Sequence, residues 1–248
     1  MMAHGNLRGL HGQLVIEASP ESVAQRLADD IVHSLRQRLE EAGTAHLALS
    51  GGVSPKGLYQ LLATDARYAA SDWSRSHLWL VDERCVPDGD PRLNFAMIRS
   101  ALADHVSVPR AQVHPMPVGL ADGDRRYEDD LRRALARGRL DVAVLGMGPD
   151  GHTASLFPHS PALDERESWV RFNDGEYVLA PRPRMTLTYP LLCAARFLAV
   201  LVTGASKHAA LLAAARAPDD LHTFPIVGIR PAADSQLLWY LDRAAVEG

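Results

Sequence analysis

The stretch HLALSGGVSPKGLYQLL, residues 46–62, decides the fold class. Its first five residues form a short apolar run that predicts a buried strand, and Gly51 and Gly52 follow as a turn. Pro55 then opens a run with leucines at helical spacing, since proline is favoured in the first turn of a helix. The order strand, glycine turn, helix is the repeating unit of a parallel α/β sheet.

The same alternation extends outward over the rest of the chain. Upstream, the strand-like QLVIEA precedes a helix that we expect to begin after Ser19 and to end at Gly43. Downstream, the sequence predicts strands at 77–83, 141–146, 197–204, 226–229 and 237–241, and helices near 94–103, at 125–137 and from about 206. These elements predict an α/β fold with an open, mostly parallel sheet and helices on both faces.

The composition is that of an ordinary globular protein. The 248 residues are 47% apolar and 23% charged, and the formal net charge of −4 argues against nucleic-acid binding and against a polybasic membrane patch. No repeat or long linker divides the chain, so we expect one domain over residues 1–248, with its motifs between about 17 and 240.

Cysteine usage and the absence of targeting signals predict a cytoplasmic protein. Cys85 and Cys193 lie far apart in apolar surroundings, in neither a disulfide framework nor a metal-ligand spacing, so we expect free thiols. The N-terminal residues lack an apolar core of signal-peptide length, and no stretch reaches about 18 uninterrupted apolar residues. We therefore expect neither export nor a membrane span.

Three predicted strands end in unusual chemistry, at SGGVSPK, DERCVP and GMGPDGHTASLFP, and a fourth runs into TGASK; such loops hold the functional residues of open parallel sheets. The loop SGGVSP, residues 50–55, would place free N–H groups at a helix N-terminus, which suits a phosphate, although a tight turn with glycines for geometry alone is the simpler interpretation. Asp82, Glu83 and Arg84 directly follow the apolar LWLV. One charge would suffice to end a strand, and Arg84 could offer a planar donor fork to a phosphate or an oxyanion.

Residues 146–151, GMGPDG, match the dinucleotide-binding pattern GxGxxG. The context argues against such a site, because Pro158 follows Gly151 after six residues, too few for a helix that crosses back over the sheet. The acid expected about 20 residues further on has no good candidate in ERESWVRFND. We therefore do not expect a nicotinamide cofactor.

His152 stands among glycines just after a buried strand, and we expect it at a helix start. A helix N-terminus disfavours the imidazolium, so this side chain would be neutral and able to act as a base near neutral pH. Cations also stand at element boundaries. Lys207 is one of only two lysines, the other being Lys56, and Arg184 lies in PRMTLTYP; each taken alone would be a solvated surface charge.

Together the motifs LALSGGVSPKGLYQLL, WLVDERCVP followed by Asn94, GMGPDGHTASLFP, and RMTLT followed by TGASK resemble the 6-phosphogluconolactonase family. The resemblance runs over about residues 17–240 and keeps the family's motif order. It implies the fold of glucosamine-6-phosphate deaminase and ribose-5-phosphate isomerase. It also implies hydrolysis of 6-phosphoglucono-1,5-lactone to 6-phosphogluconate, with that sugar-phosphate lactone as the partner and with no cofactor or metal.

The resemblance also implies roles for individual residues. His152 would be the general base that activates water, Arg84 would stabilise negative charge, and Asp82 would hold a sugar hydroxyl or orient its neighbours. The implied phosphate and substrate contacts are Ser50, Gly51, Gly52, Ser54, Asn94, Gly148, Asp150, Gly151, Arg184 and Lys207.

The sequence departs from the family pattern at two positions. Val53 and Leu93 stand where the family commonly has hydroxyl side chains, so Ser54 would carry any hydroxyl contact to a phosphate.

The sequence leaves two alternative functions open. One alternative is a glucosamine-6-phosphate deaminase-like sugar-phosphate isomerase, although that pattern has Tyr where this chain has Arg84. The other is a non-catalytic sugar-phosphate sensor, although only one amphipathic helix precedes HLALSGG. A monomer and a small homo-oligomer are both compatible with the sequence.

Overall fold

Residues 7–174 and 183–248 are described by a computed structural model. The strands are Gln13–Glu17 (β1), Ala45–Leu49 (β2), Ser76–Leu80 (β3), Asp82–Arg84 (β4), Val113–His114 (β5), Val142–Gly146 (β6), Val170–Asn173 (β7), Arg184–Leu187 (β8), Phe197–Val202 (β9) and Gln236–Asp242 (β10). The helices are Pro20–Ala42 (α1), Val53–Thr64 (α2), Ala66–Ala69 (α3), Asn94–Ile98 (α4), Gly123–Ala134 (α5), Tyr189–Leu192 (α6), His208–Arg216 (α7) and Arg243–Glu247 (α8).

The larger sheet has the strand order β1-β10-β9-β6-β2-β3-β5, and each neighbouring pair in it is parallel. Every residue of β2 and β9 is buried, so both faces of the sheet are covered at its centre. The predicted α/β class and mostly parallel sheet are confirmed. This topology brings the carboxyl ends of β2, β6 and β9 side by side at one edge.

The first long helix forms as its sequence predicts. Ser19 precedes α1 and caps it, because its hydroxyl accepts from the N–H of Ser22 while the Ser22 hydroxyl accepts from the N–H of Ser19. Gly43 ends the helix with a φ of 77°, the left-handed conformation that glycine adopts without strain. The buried stripe of α1 runs from Val23 to Leu39 and packs on the core.

The predicted strand at 77–83 is in fact two strands in two sheets. The Val81 N–H donates to Leu49 O in the large sheet, and the Val81 carbonyl accepts from the N–H of Leu187 in β8. Asp82–Arg84 then joins an antiparallel sheet of order β4-β8-β7. The chain thus leaves the large sheet at Val81, and this change carries Asp82 and Arg84 over its carboxyl edge.

Other predicted elements differ in detail. The prediction of a strand at 226–229 is wrong. Pro225–Gly228 instead forms a buried 3-10 turn, and the Pro225 carbonyl accepts from the Tyr189 hydroxyl at 2.6 Å. The helix predicted at 125–137 is Gly123–Ala134, and the helix predicted from about 206 begins with a single turn, Ala205–Lys207, before α7. Among the described helices, none combines the length and the apolar character needed to cross a bilayer.

Candidate active site

A cavity of about 990 Å³ opens at the carboxyl edge of the large sheet. Its walls come from the loops after β2, β6 and β9, from β4, from the first turn of α1, and from one side of α2 along its length. The predicted site residues that line it are Ser50, Gly51, Gly52, Ser54, Asp82, Arg84, Asn94, Gly148, His152 and Lys207. Asp150, Gly151 and Arg184 are not among the lining residues, although Asp150 contacts His152 and Arg184 pairs with Arg84.

The glycine loop after β2 presents backbone to the cavity. Gly52 has a φ of 114° and precedes α2, whose N-terminus has no side-chain cap. A Cβ on Gly51 would lie 1.8 Å from Asn94 Oδ1, so only glycine allows the loop to approach that side chain. Ser54 Oγ lies 2.7 Å from Thr203 Oγ1, which joins the start of α2 to the loop after β9. The helix N-terminus is therefore open to an anion.

Ser50 is placed differently from the other residues of this loop. Its side chain is buried and its hydroxyl donates to the Val144 carbonyl at 2.6 Å, while its own carbonyl accepts from the Tyr59 hydroxyl at 2.9 Å. The Ser50 hydroxyl therefore ties β2 to β6 at the floor of the cavity.

Asp82 is held by two donors. Its Oδ2 accepts from Ser155 Oγ at 2.5 Å, and its Oδ1 accepts from Asn94 Nδ2 at 3.2 Å. The same amide nitrogen donates to the Asp82 carbonyl at 2.8 Å. Ser155 is itself fixed, because its N–H donates to Thr186 Oγ1 at 3.1 Å and its carbonyl accepts from Asn173 Nδ2 at 2.8 Å. The Asp82 carboxylate thus has a defined orientation at the cavity wall.

Arg84 reaches the cavity beside Asp82. Its Nη1 donates to the Arg92 carbonyl at 2.7 Å and to Asn94 Oδ1. Arg184 lies directly opposite Arg84 in the antiparallel pairing of β4 and β8. Burial lowers the pKa of the Arg184 guanidinium, and the positive charge of Arg84 lowers it further. Two arginines in directly opposed positions concentrate positive charge next to the cavity.

His152 is paired with Asp150. The distance from His152 Nδ1 to Asp150 Oδ1 is 2.5 Å, and the His152 N–H also donates to that oxygen at 3.1 Å. Burial by itself raises the pKa of Asp150, but the hydrogen bond from His152 and the charge of that ring together hold the pKa below its usual value. The His152 side chain is 23% exposed, and its ring lies 4.9 Å from that of Phe157.

The prediction that His152 begins a helix is wrong. The residues that follow it form turns, with one bridge between Thr153 and Leu156. The reason is local, because the N–H of Gly148 donates to the His152 carbonyl and the N–H of Gly151 to the Gly148 carbonyl, which closes the loop on itself. The orientation of the imidazole therefore depends on Asp150 and not on a helix dipole.

The glycines of this loop are required by close contacts. A Cβ on Gly148 would lie 2.0 Å from His152 Nδ1, and one on Gly151, whose φ is 81°, would lie 2.9 Å from Phe224 Cδ1. Gly148 thus lets the backbone pass under the imidazole, and Gly151 makes the turn that places it.

The two lysines lie in different surroundings, one at the cavity and one outside it. Lys207 lines the cavity, and its Nζ donates at 2.8 Å to the carbonyl of Met147, the residue that follows β6. Burial lowers the pKa of Lys207, and the charge of Asp150 opposes that effect. Lys56 is exposed on α2 and is not part of the cavity wall.

Sequence reasoning assigned no individual role to three residues of the site region, one of which, Glu83, stands in the charged run noted from Asp82 to Arg84. Thr203 lines the cavity in contact with Ser54, Ser155 holds Asp82, and Glu83 is buried between Asp82 and Arg84. Thr203 carried a signal, since it follows the β9 strand directly. The roles of Ser155 and Glu83 depend on contacts between loops, which spacing along the sequence does not indicate. Within residues 7–174 and 183–248, no cluster of three or more His, Cys, Asp or Glu side chains is arranged to hold a metal ion.

Comparison with known proteins identifies the family. Residues 18–239 match the family model described as glucosamine-6-phosphate isomerases/6-phosphogluconolactonase. A 6-phosphogluconolactonase from Synechocystis is 37% identical over 248 residues, which cover 96% of this chain and 95% of that protein. The GDH/6PGL endoplasmic bifunctional protein of Oryctolagus cuniculus is 40% identical over 94% of this chain, and the match spans 30% of that relative's length.

Solved structures agree with the sequence comparison. The crystal structure of the 6-phosphogluconolactonase from Thermotoga maritima has a TM-score of 0.79 to this chain, at 26% identity, and the match covers 93% of this chain and 99% of that one. The family model covers most of the chain, and the Synechocystis relative is similar over 95% of its length. The predicted resemblance is confirmed, and the chain belongs to the glucosamine-6-phosphate isomerase/6-phosphogluconolactonase family.

Proposed function

We propose that the protein hydrolyses 6-phosphoglucono-1,5-lactone to 6-phosphogluconate. The observation that carries this proposal is the pairing of His152 with Asp150 at 2.5 Å on the wall of a cavity that also presents Arg84. The similarity to the 6-phosphogluconolactonases of Synechocystis and Thermotoga maritima supports the same activity. The substrate is an activated ester, so one general base and one stabiliser of negative charge suffice for its hydrolysis.

His152 is the general base in this proposal. Its Nδ1–H donates to Asp150, which leaves Nε2 as the acceptor for a proton from water. The water oxygen bonds to the lactone carbonyl carbon as that proton passes to His152, and Asp150 stabilises the resulting imidazolium. The tetrahedral intermediate then collapses with cleavage of the ring C–O bond, and the imidazolium returns its proton to the ring oxygen that leaves.

Arg84 stabilises the negative charge that develops on the carbonyl oxygen. Its Nη1 is occupied by the Arg92 carbonyl and by Asn94, so the remaining guanidinium N–H groups are those available to an oxyanion. Asp82, held by Ser155 and Asn94, accepts from a sugar hydroxyl or orients its neighbours.

The phosphate binds at the glycine loop that follows β2. The uncapped N-terminus of α2, with Gly51, Gly52 and Ser54, supplies N–H and hydroxyl donors, and Lys207 supplies charge. Arg184 adds positive charge from the position opposite Arg84 in the pairing of β4 and β8. In this proposal Asn94 orients Arg84, while Gly148, Gly151 and Asp150 place His152.

Covalent catalysis by the neighbouring cysteine has no support. Burial raises the pKa of the Cys85 thiol to about 11, and the charge of Asp174 acts in the same direction. A thiol in this state is a poor nucleophile at neutral pH, which favours direct attack by water.

His152→Ala tests the proposal. Glucose 6-phosphate dehydrogenase generates the lactone, and its disappearance is followed against spontaneous hydrolysis, since this lactone also opens unaided. We expect the variant to lose about 100-fold or more of kcat with little change in melting temperature, because it removes the base and leaves the core intact. Asp150→Asn should lower kcat in the same direction, because an amide can hold the ring in the wrong tautomer.

Near-normal turnover by His152→Ala would contradict the general-base assignment. The exposed Asp164 provides a matched control for Asp150, and Asp164→Asn should retain full activity. Ammonia release from glucosamine 6-phosphate by the unmodified chain would instead support the deaminase-like alternative.

A further inference from the structure

Glu83 is a buried acid that the proposed reaction does not use. Its side chain is only 1% exposed, although the residues on either side of it, Asp82 and Arg84, both line the cavity. An ionised carboxylate is costly to bury unless it is fully hydrogen-bonded. Burial indeed raises the pKa of Glu83, and backbone N–H groups act in the opposite direction.

Three backbone N–H groups converge on this carboxylate. Its Oε1 accepts from the N–H of Arg84 and from that of Asn94, each at 2.8 Å, and its Oε2 accepts from the N–H of Phe95 at 2.8 Å. Asn94 and Phe95 are the first residues of α4, whose N-cap residue Leu93 offers no side-chain cap. Glu83 therefore satisfies donors at the start of α4 that would otherwise have no partner.

The Glu83 carboxylate joins two separate segments of the chain, β4 and the start of α4. The Arg84 backbone belongs to β4, and the Asn94 backbone belongs to α4, ten residues further along the chain. The Asn94 side chain then bonds both Arg84 Nη1 and Asp82, so its position determines where the guanidinium and the carboxylate stand. A shift of α4 relative to β4 would move all three side chains together.

We propose that Glu83 is a positioning residue that aligns Arg84 for charge stabilisation by clamping β4 to the first turn of α4. The proposal rests on the proposed function, since it assigns Glu83 a role through Arg84. Glu83 does not touch the substrate, because it is enclosed beneath the residues that do.

Glu83→Gln is the most selective substitution. The amide oxygen can still accept two of the three N–H bonds, but its NH₂ group would face the N–H of Phe95, donor against donor. We expect kcat/KM to fall about tenfold, mainly through kcat, because misplacement of a catalytic group by about 1 Å costs on the order of 10- to 100-fold. A buried carboxylate at the opposite edge of the sheet, Asp141, provides the control, and Asp141→Asn should lower the melting temperature without changing kcat.

A double-mutant cycle separates positioning from mere stability. Arg84→Ala alone should lose on the order of 100-fold in kcat. If Glu83 acts through Arg84, the double variant should be about as active as Arg84→Ala, so that Glu83→Gln costs little in that background. Equal losses in both backgrounds, or full activity of Glu83→Gln, would overturn the inference.

The cycle also distinguishes the two proposals. Full activity of Arg84→Ala would overturn both the role of Arg84 and that of Glu83, whereas additive losses with an impaired Arg84→Ala overturn only the role of Glu83. If Glu83→Gln does not fold, Glu83→Asp takes its place in the cycle with the same interpretation, because it keeps the charge and shortens the reach by one methylene.

Discussion

Lys207 and Lys56 are the only lysines among 26 basic residues, and the structure gives them different surroundings. Lys207 is half-buried at the cavity with Nζ on the Met147 carbonyl, and Lys56 is exposed on α2 outside the cavity. An ammonium has three donors, and a single carbonyl uses only one of them. The other two are therefore available to an anionic group of the substrate.

Lys207→Ala should raise KM about tenfold and leave kcat nearly unchanged, because a charged hydrogen bond to the phosphate contributes to ground-state and transition-state binding alike. Steady-state kinetics over a range of lactone concentrations measures both constants. Lys56→Ala is the matched control, since it removes the same side chain without touching the cavity. An unchanged KM in Lys207→Ala, or equal effects of the two substitutions, would argue against a phosphate contact.

For individual residues, the sequence predicts which side chains lie at the site better than it predicts the contacts that orient them. His152 could be chosen because a histidine among glycines after a buried strand has little structural purpose, and it does line the cavity. Its partner Asp150 lies two residues away, but the loop that joins them closes through backbone bonds that no periodicity indicates. Ser155 meets Asp82 across 73 positions, so its role required the fold.

At the scale of elements, strand and helix order followed from apolar periodicity, whereas the change of sheet at Val81 did not. LWLVDE is one continuous apolar-to-charged run, and a strand that continues in a second sheet has the same pattern as one that ends. What decides the change is the hydrogen bonding of Val81, whose N–H points to β2 and whose carbonyl points to β8. The functional geometry of Asp82 and Arg84 depends on that change.

The capping box of α1 gives a prediction for this element. Ser19→Ala removes the acceptor for the N–H of Ser22 and should lower the free energy of unfolding by about 1 kcal/mol. Urea unfolding followed by circular dichroism measures the change. Ser19→Asp should restore stability, because aspartate also accepts that N–H and its charge favours a helix N-terminus. Equal stability of Ser19→Ala and the parent chain would show that the cap is not a source of stability.

At the scale of the whole molecule, the large sheet carries a second group of histidines away from the cavity. His46, His77 and His114 lie on β2, β3 and β5 around Trp79, and His77 Nδ1 is 3.0 Å from His114 Nε2. The Trp79 ring stacks on His114 at 3.7 Å, and its Nε1 donates to His46 Nδ1 at 3.2 Å. Protonation of His46 at Nδ1 would break that bond, so the packed cluster requires a neutral His46.

The pKa values of this cluster predict acid sensitivity of the fold. Burial lowers the pKa of His46 from 6.5 to about 4, with further lowering by His77, His114 and Arg38. Burial also lowers the pKa of His114 to about 4, with His77 acting in the same direction and Asp130 against it. Between pH 6.5 and 4 the unfolded chain binds protons that the folded chain does not, so the free energy of unfolding falls as the pH falls.

His46→Asn should flatten this dependence, because asparagine can accept the Trp79 N–H but does not titrate. Each histidine contributes at most about 1.4 kcal/mol per pH unit inside the window, and nothing further below about pH 4, where both states are protonated. Urea unfolding of the parent chain and the variant at pH 7, 6, 5 and 4.5 measures the two slopes. Asp65 and Glu165, whose pKa values are held at about 2 by hydrogen bonds from Arg67 and from the backbone N–H of Glu167, also lower the free energy of unfolding as the pH approaches 4, but they do so equally in both chains and cancel from the comparison of slopes. Equal slopes for the two chains would mean that His46 takes up its proton in the folded state, and the packing around Trp79 would then have to tolerate a charge.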